Sequence, residues 1–210
     1  MNSPAHGRSK GRSEAASPVD GECWFTNRVA RPRSRSDEQV LDAIDAALAE
    51  RPPMAPWALR DVAPAAGMSP AGLIKRFGSK DALLLALARR WIQSIPDGPT
   101  RPGDDLAELR GYLDTHFAAP TAAAAVSGLG ALMRDLGSPE AASLLRDGWS
   151  KQARYLAALL ERLPLRPDVD PHRASLTLLD ALHGSLYRRA VELDPTPPTR
   201  TLDALLEGWT

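Results

Sequence analysis

Apolar residues recur every three or four positions through most of this chain, and no stretch alternates as a half-buried strand would. Val40, Leu41, Ile44, Ala47 and Leu48 form the first such stripe. The run Ser36-Asp37-Glu38-Gln39 before it is a capping box, with the Gln39 side chain placed to return a bond to the cap. Pro52-Pro53 ends that helix, because proline lacks the N–H and restricts its predecessor. Residues 57–85 predict two short helices around a tight turn at Gly67-Met68 and then the start of a longer helix. Ser69-Pro70 opens the second short helix, with Leu73 and Phe77 as its apolar anchors. Ser79-Lys80-Asp81 opens the longer one, which runs to about residue 95.

Further periodic segments follow at about 104–118, 121–136, 139–163, 171–193 and 199–208. On the fourth of these, Leu176, Leu179, His183, Leu186 and Ala190 read as one stripe. The pattern therefore predicts an all-α protein of about nine helices. Residues 1–35, rich in Ser, Arg, Gly and Pro and without periodicity, read as a disordered basic arm or as a non-functional leader. Residues 36–85 read as a three-helix unit built on a helix-turn-helix. Residues 86–210 read as a larger helical body, because the run PDGPTRPG breaks the chain just after the long helix.

Charge sharpens this division. The chain is neutral overall, with 26 basic and 26 acidic residues, but their placement is uneven. Residues 1–35 hold seven basic and three acidic residues, whereas residues 91–210 hold twelve and sixteen. A basic start beside a helix-turn-helix suits DNA phosphates, and an acidic remainder suits a body kept off the DNA. The single cysteine, Cys23, makes neither an internal disulfide nor a metal motif, which points to the cytoplasm. No run of about 18 apolar residues predicts a membrane span.

A helix, a glycine turn and a second helix form the motif whose second helix enters the DNA major groove. With Leu73 and Phe77 inward, Pro70, Ala71, Ile74 and Lys75 share its outer face. Lys75 is the best base or phosphate contact and Arg76 flanks it; Ala71 and Ile74 suit a thymine methyl. Lys80, at a helix start, is placed for phosphate, and Trp57, Arg60 and Ser69 complete the expected DNA-binding set. The stretch RDVAPAAGMSPAGLIKRFGSKDALL also resembles the DNA-binding signature of the tetracycline-repressor-like (TetR) family of bacterial regulators. Arg60, Asp61, Val62, Ala63, Ala66, Gly67, Met68, Ser69, Leu73, Phe77, Ser79, Lys80, Asp81 and Leu83 stand at matching positions. Four positions depart from it: Ala71 for the usual Gly, Ile74 for the usual Tyr, Gly78 for the frequent Pro, and Pro64 late in the first helix. The resemblance implies that the Tyr replaced by Ile74 would otherwise reach a phosphate.

The resemblance also implies a small-molecule pocket in the body and a dimer through the last two helices. His116, Met133, Trp149, Tyr155, His183 and Tyr187 are the candidate ligand contacts, although lone His and Trp residues are more often core. Leu179, His183, Leu186, Tyr187 and Ala190, facing Leu202, Leu205, Leu206 and Trp209, are the candidate dimer interface. The four histidines show no metal-ligand spacing, and no nucleophile elbow or phosphate loop exists, so neither catalysis nor a cofactor is expected. The expected function is a sequence-specific transcriptional regulator, a repressor released from a palindromic operator by an unknown small-molecule effector. One alternative is a regulator without a small ligand. Another is an all-α interaction bundle whose helix-turn-helix is vestigial.

Overall fold

The computed structural model describes residues 35–52, 54–191 and 196–210. Most of the expected arm, and the last two residues of the helix expected over 171–193, lie outside the described residues. Among the described residues the chain forms nine α-helices and no strand. They are α1 (Asp37–Ala49), α2 (Leu59–Val62), α3 (Pro70–Phe77), α4 (Lys80–Ser94), α5 (Asp105–Phe117), α6 (Ala122–Leu136), α7 (Pro139–Leu160), α8 (Pro171–Val191) and α9 (Pro198–Trp209).

Local chemistry explains where the helices start. The hydroxyls of Ser36, Ser69, Ser79, Thr121 and Ser138 each accept a backbone N–H three residues on, at 3.0–3.4 Å. Each such cap is worth about 1 kcal/mol. The capping box at Ser36 is complete, because its own N–H donates to the Gln39 side chain at 3.1 Å. No single helix among the described residues is long and apolar enough to cross a membrane.

Two hydrophobic clusters organise the packing. The first gathers Val40, Leu41 and Ile44 of α1, Val62, Ala63 and Ala66, Leu73 of α3 and Leu83 of α4. The second gathers Leu109 and Leu113 of α5, Leu156, Leu159 and Leu160 of α7, Leu178 and Leu182 of α8, and Leu202 of α9. Helix α4 joins them, giving Leu83, Ala86 and Leu87 to the first and Trp91 to the second. The Trp91 ring packs against the bare backbone of Gly148 in α7, where a Cβ would overlap the ring. Beside this contact, the Lys151 ammonium reaches the Ile92 carbonyl at 3.3 Å and the Asp97 carboxylate at 2.9 Å.

Helix α8 buries a stripe other than the one its sequence pattern suggests. Its buried residues are Ala174, Ser175, Leu178, Leu179, Leu182, Ser185 and Arg189, whereas Leu176 is exposed. The inward stripe thus lies one position before the expected one, a rotation of about 100°. The run SLTLLDAL places leucines on both sides of the helix, so periodicity alone fits two faces. Leu179 and Leu202 are therefore corrected as dimer contacts: both are spent in the core of their own chain. Leu205, Leu206 and Trp209 also pack against that core but stay partly exposed.

Candidate nucleic-acid interface

The turn between α2 and α3 is closed by its own backbone. Gly67, at φ 66°, donates to the Pro64 carbonyl at 3.0 Å, and Met68 donates to the Ala63 carbonyl at 3.0 Å. This is a Schellman turn, which ends a helix on a left-handed residue and favours glycine. Gly78 caps α3 at φ 93°. Proline, fixed near −65°, cannot adopt that angle, so the departure at Gly78 belongs to this geometry. The Asp61 carboxylate accepts the Ala58 N–H at 2.8 Å and fixes the start of α2.

The three expected cations of the recognition region have different roles. Arg76 donates to Asp37 at 2.5 Å and to the Arg35 carbonyl at 2.8 Å, tying α3 to the start of α1. Lys80 donates to the Trp57 carbonyl at 2.5 Å, and its ammonium lies 4.1 Å from the Trp57 ring centroid. Arg76 and Lys80 thus brace the motif, and Trp57 is half-buried beneath Lys80. Lys75 is exposed and, among the described residues, has no hydrogen-bond or ion-pair partner. Pro70, Ala71 and Ile74 share its exposed face, Ile74 being 49% exposed. Ser69 is exposed, but its hydroxyl is taken by the Gly72 N–H. Arg60 projects from α2, 82% exposed, with only a 3.8 Å approach to Asp61.

Sequence reasoning missed a further brace. Arg35, grouped with the arm, donates to the Ala65 carbonyl at 2.7 Å, and its guanidinium covers the turn at Gly67. Its place just before the cap at Ser36 was the only signal, and nothing in the sequence pairs it with residue 65.

In the body, the six candidate ligand contacts fall into separate places. The His183 ring packs 5.3 Å from Trp149 and 5.5 Å from Phe117, centroid to centroid. Its Nδ1 lies 2.8 Å from the Leu179 carbonyl, and burial holds its pKa below the usual histidine value. His116 packs 4.3 Å from Tyr112, which meets Tyr155 edge-on at 4.9 Å. Burial also lowers the His116 pKa. Met133 and Tyr187 sit on the surface, 59% and 58% exposed, and join neither ring group.

The ring group of His116 borders a cleft of about 280 Å³, lined also by Thr100, Arg101, Glu108, Tyr112 and Tyr155. Glu108 is buried there, and the sequence reading missed it. Its carboxylate accepts the Thr100 N–H at 2.8 Å, the Thr100 hydroxyl at 2.9 Å, the Arg101 N–H at 2.7 Å and the Tyr155 hydroxyl at 2.8 Å. Burial pushes its pKa up, but these donors outweigh burial and hold it at about 2. Glu108 clamps the loop after α4 onto α5 and α7. Burial and the Glu108 charge raise the Tyr155 pKa, and burial raises that of Tyr112 to about 12. Among the described residues, no group of three or more His, Cys, Asp or Glu is arranged to hold a metal ion.

Residues 40–87 match the family described as bacterial regulatory proteins, tetR family. No curated protein matches the chain at the sequence level. Among solved structures, a TetR transcription regulator from Haloarcula marismortui superposes with a TM-score of 0.62 at 23% identity, covering 81% of this chain and 94% of that one. A transcriptional regulator from a Rhodococcus species gives 0.60 at 20% identity, covering 83% and 98%. SmeT, the repressor of the SmeDEF multidrug efflux pump of Stenotrophomonas maltophilia, gives 0.55 at 21% identity, covering 83% and 90%.

Proposed function

We propose that this chain, whose residues 40–87 belong to the tetR family of bacterial regulatory proteins, is a sequence-specific DNA-binding transcriptional repressor acting as a homodimer. The observation that carries this reading is the outer face of α3. It presents Lys75, without a hydrogen-bond or ion-pair partner among the described residues, beside Ile74 and Ala71 on a helix braced by the Schellman turn, by Arg76 on Asp37 and by Lys80 on Trp57. A cation for guanine or phosphate and an apolar surface for thymine methyls are what major-groove reading uses. Lys75, and Arg60 with its 82% exposed side chain, are the charges offered to the DNA backbone.

A two-fold dimer sets two α3 helices about 34–36 Å apart and reads a palindrome. We assign the dimer face to the outward side of α8, along Leu176, Gly184, Tyr187 and Val191, because all four are exposed. Partly exposed Leu205, Leu206 and Trp209 of α9 extend it. An effector bound among the body rings, near Trp149 and His183 or in the cleft at His116 and Tyr155, would release the operator. It does so by preferring the spacing that DNA does not accept.

Selection from a pool of random duplexes tests the reading. Enrichment of a palindrome with half-sites about one helical turn apart is expected. A pool that returns no enriched sequence overturns it.

A further inference from the structure

Met54, in the loop between α1 and α2, combines two unusual features. Its φ is 60°, the left-handed region that side chains other than Asn, Asp or His rarely adopt. Its side chain, 68% exposed overall, nonetheless ends on the bare backbone of Gly130 in α6, where a Cβ would fall on the Met54 sulfur. Glycine within a helix costs helicity, and α6 carries two of them. Around Gly128 nothing described lies within 4 Å, so that glycine has no seat to provide. Gly130 has one, and the group seated there comes from the unit that carries the recognition helix.

We infer that Met54 and Gly130 are positioning residues for DNA binding: the thioether seated on α6 is a second tie, besides α4, that sets where the α1–α3 unit stands on the body. This rests on the DNA-binding reading above and adds a component of its control. Helix α4 holds the body firmly, through Trp91 on Gly148 and Lys151 on Ile92 and Asp97. It also carries the recognition unit, through Leu83, Ala86 and Leu87 and the Arg90–Asp42 ion pair. A contact from the α1–α2 loop to α6 adds a restraint away from that helix and pre-organises the spacing of two recognition helices, which raises affinity without touching DNA. Helix α6 buries one residue, Ala125, and packs along α8 and α7, so it gives the thioether a fixed seat on the body.

The test uses the full-length protein and its selected operator, with affinity measured over a series of salt concentrations. Gly130→Ala places a methyl where the sulfur sits and displaces the flexible side chain. Met54→Gly keeps the left-handed backbone and removes the side chain. Gly128→Ala makes the same helical change with no neighbour to displace. The expected result is operator affinity about tenfold lower for Gly130→Ala and Met54→Gly, and unchanged for Gly128→Ala. The salt slopes should all equal that of the wild type, because no phosphate contact is lost. Gly130→Ala should melt no lower than the wild type, since alanine favours the helix. A folded Gly130→Ala protein that binds as tightly as the wild type overturns the inference. So does a salt slope reduced in step with affinity. A wild-type chain that selects no operator overturns the DNA-binding reading instead.

Discussion

The ammonium of Lys80 stands 4.1 Å from the centre of the Trp57 ring and donates to the Trp57 carbonyl, so the start of α4 is fastened to the entry of α2. A lysine expected at a DNA phosphate is thus the strut that sets the angle between two helices of the motif. A desolvated cation on an indole, with a charged hydrogen bond, is worth about 1–3 kcal/mol. Lys80→Ala should lower the urea midpoint by a corresponding amount. An unchanged midpoint, with operator affinity lost, would return Lys80 to the DNA face.

Lys75 should behave in the opposite way. It is exposed and touches no described partner, so its removal leaves stability within about 0.5 kcal/mol of the wild type. Lys75→Ala should weaken operator binding and reduce the slope of log affinity against log salt by about one, the signature of a lost phosphate contact. If it instead relaxes base preference at one position with the slope intact, Lys75 reads a guanine. Arg76→Ala should act on stability first, because its guanidinium is engaged by Asp37 and Arg35.

Glu108 predicts how the body responds to acid. Burial alone would raise its pKa, but the Thr100 and Arg101 N–H groups and the Tyr155 hydroxyl lower it from 4.5 to about 2 in the folded chain. A carboxyl whose folded pKa is depressed stabilises the fold above its unfolded pKa and loses that contribution as pH falls towards the folded value. Stability should therefore decline between about pH 4.5 and about pH 2, and Glu108→Gln should flatten that part of the profile. Near neutral pH, Glu108→Ala should cost about 2–4 kcal/mol, since it leaves buried donors unpaired. Urea unfolding across the pH range reads both effects. A Glu108→Ala protein as stable as the wild type would refute the clamp.

Tyr187 tests the reoriented face of α8. It is 58% exposed and stands with Leu176 and Val191 on the outward side. Tyr187→Asp should leave the chain folded, shift sedimentation towards the monomer and weaken operator binding, because a palindrome is read by two copies. A Leu179→Asp chain should fail to fold, since Leu179 is buried in its own core. A Tyr187→Asp protein that remains dimeric places the interface elsewhere.

The sequence by itself determined the helices, their starts and the turn. A capping serine, a proline at the first helical position and a glycine forced to positive φ act within five residues. Their spelling at Ser36, Ser69-Pro70, Gly67 and Ser79 therefore carries straight into backbone geometry. The outer face of α3 was legible for the same reason, once Leu73 and Phe77 were set inward. Tertiary structure alone decided which cations of the motif are engaged within the chain. Arg76 meets Asp37 across 39 residues and Lys80 meets Trp57 across 23, pairings that depend on how helices pack and leave no mark in the local pattern. The rotation of α8 was undecided because leucines line two of its faces, and only the packing of α6, α7 and α9 around it chooses between them. Glu108 was illegible because a lone glutamate near a helix start reads as a solvated residue. It becomes a clamp only where the loop after α4 turns two N–H groups towards it.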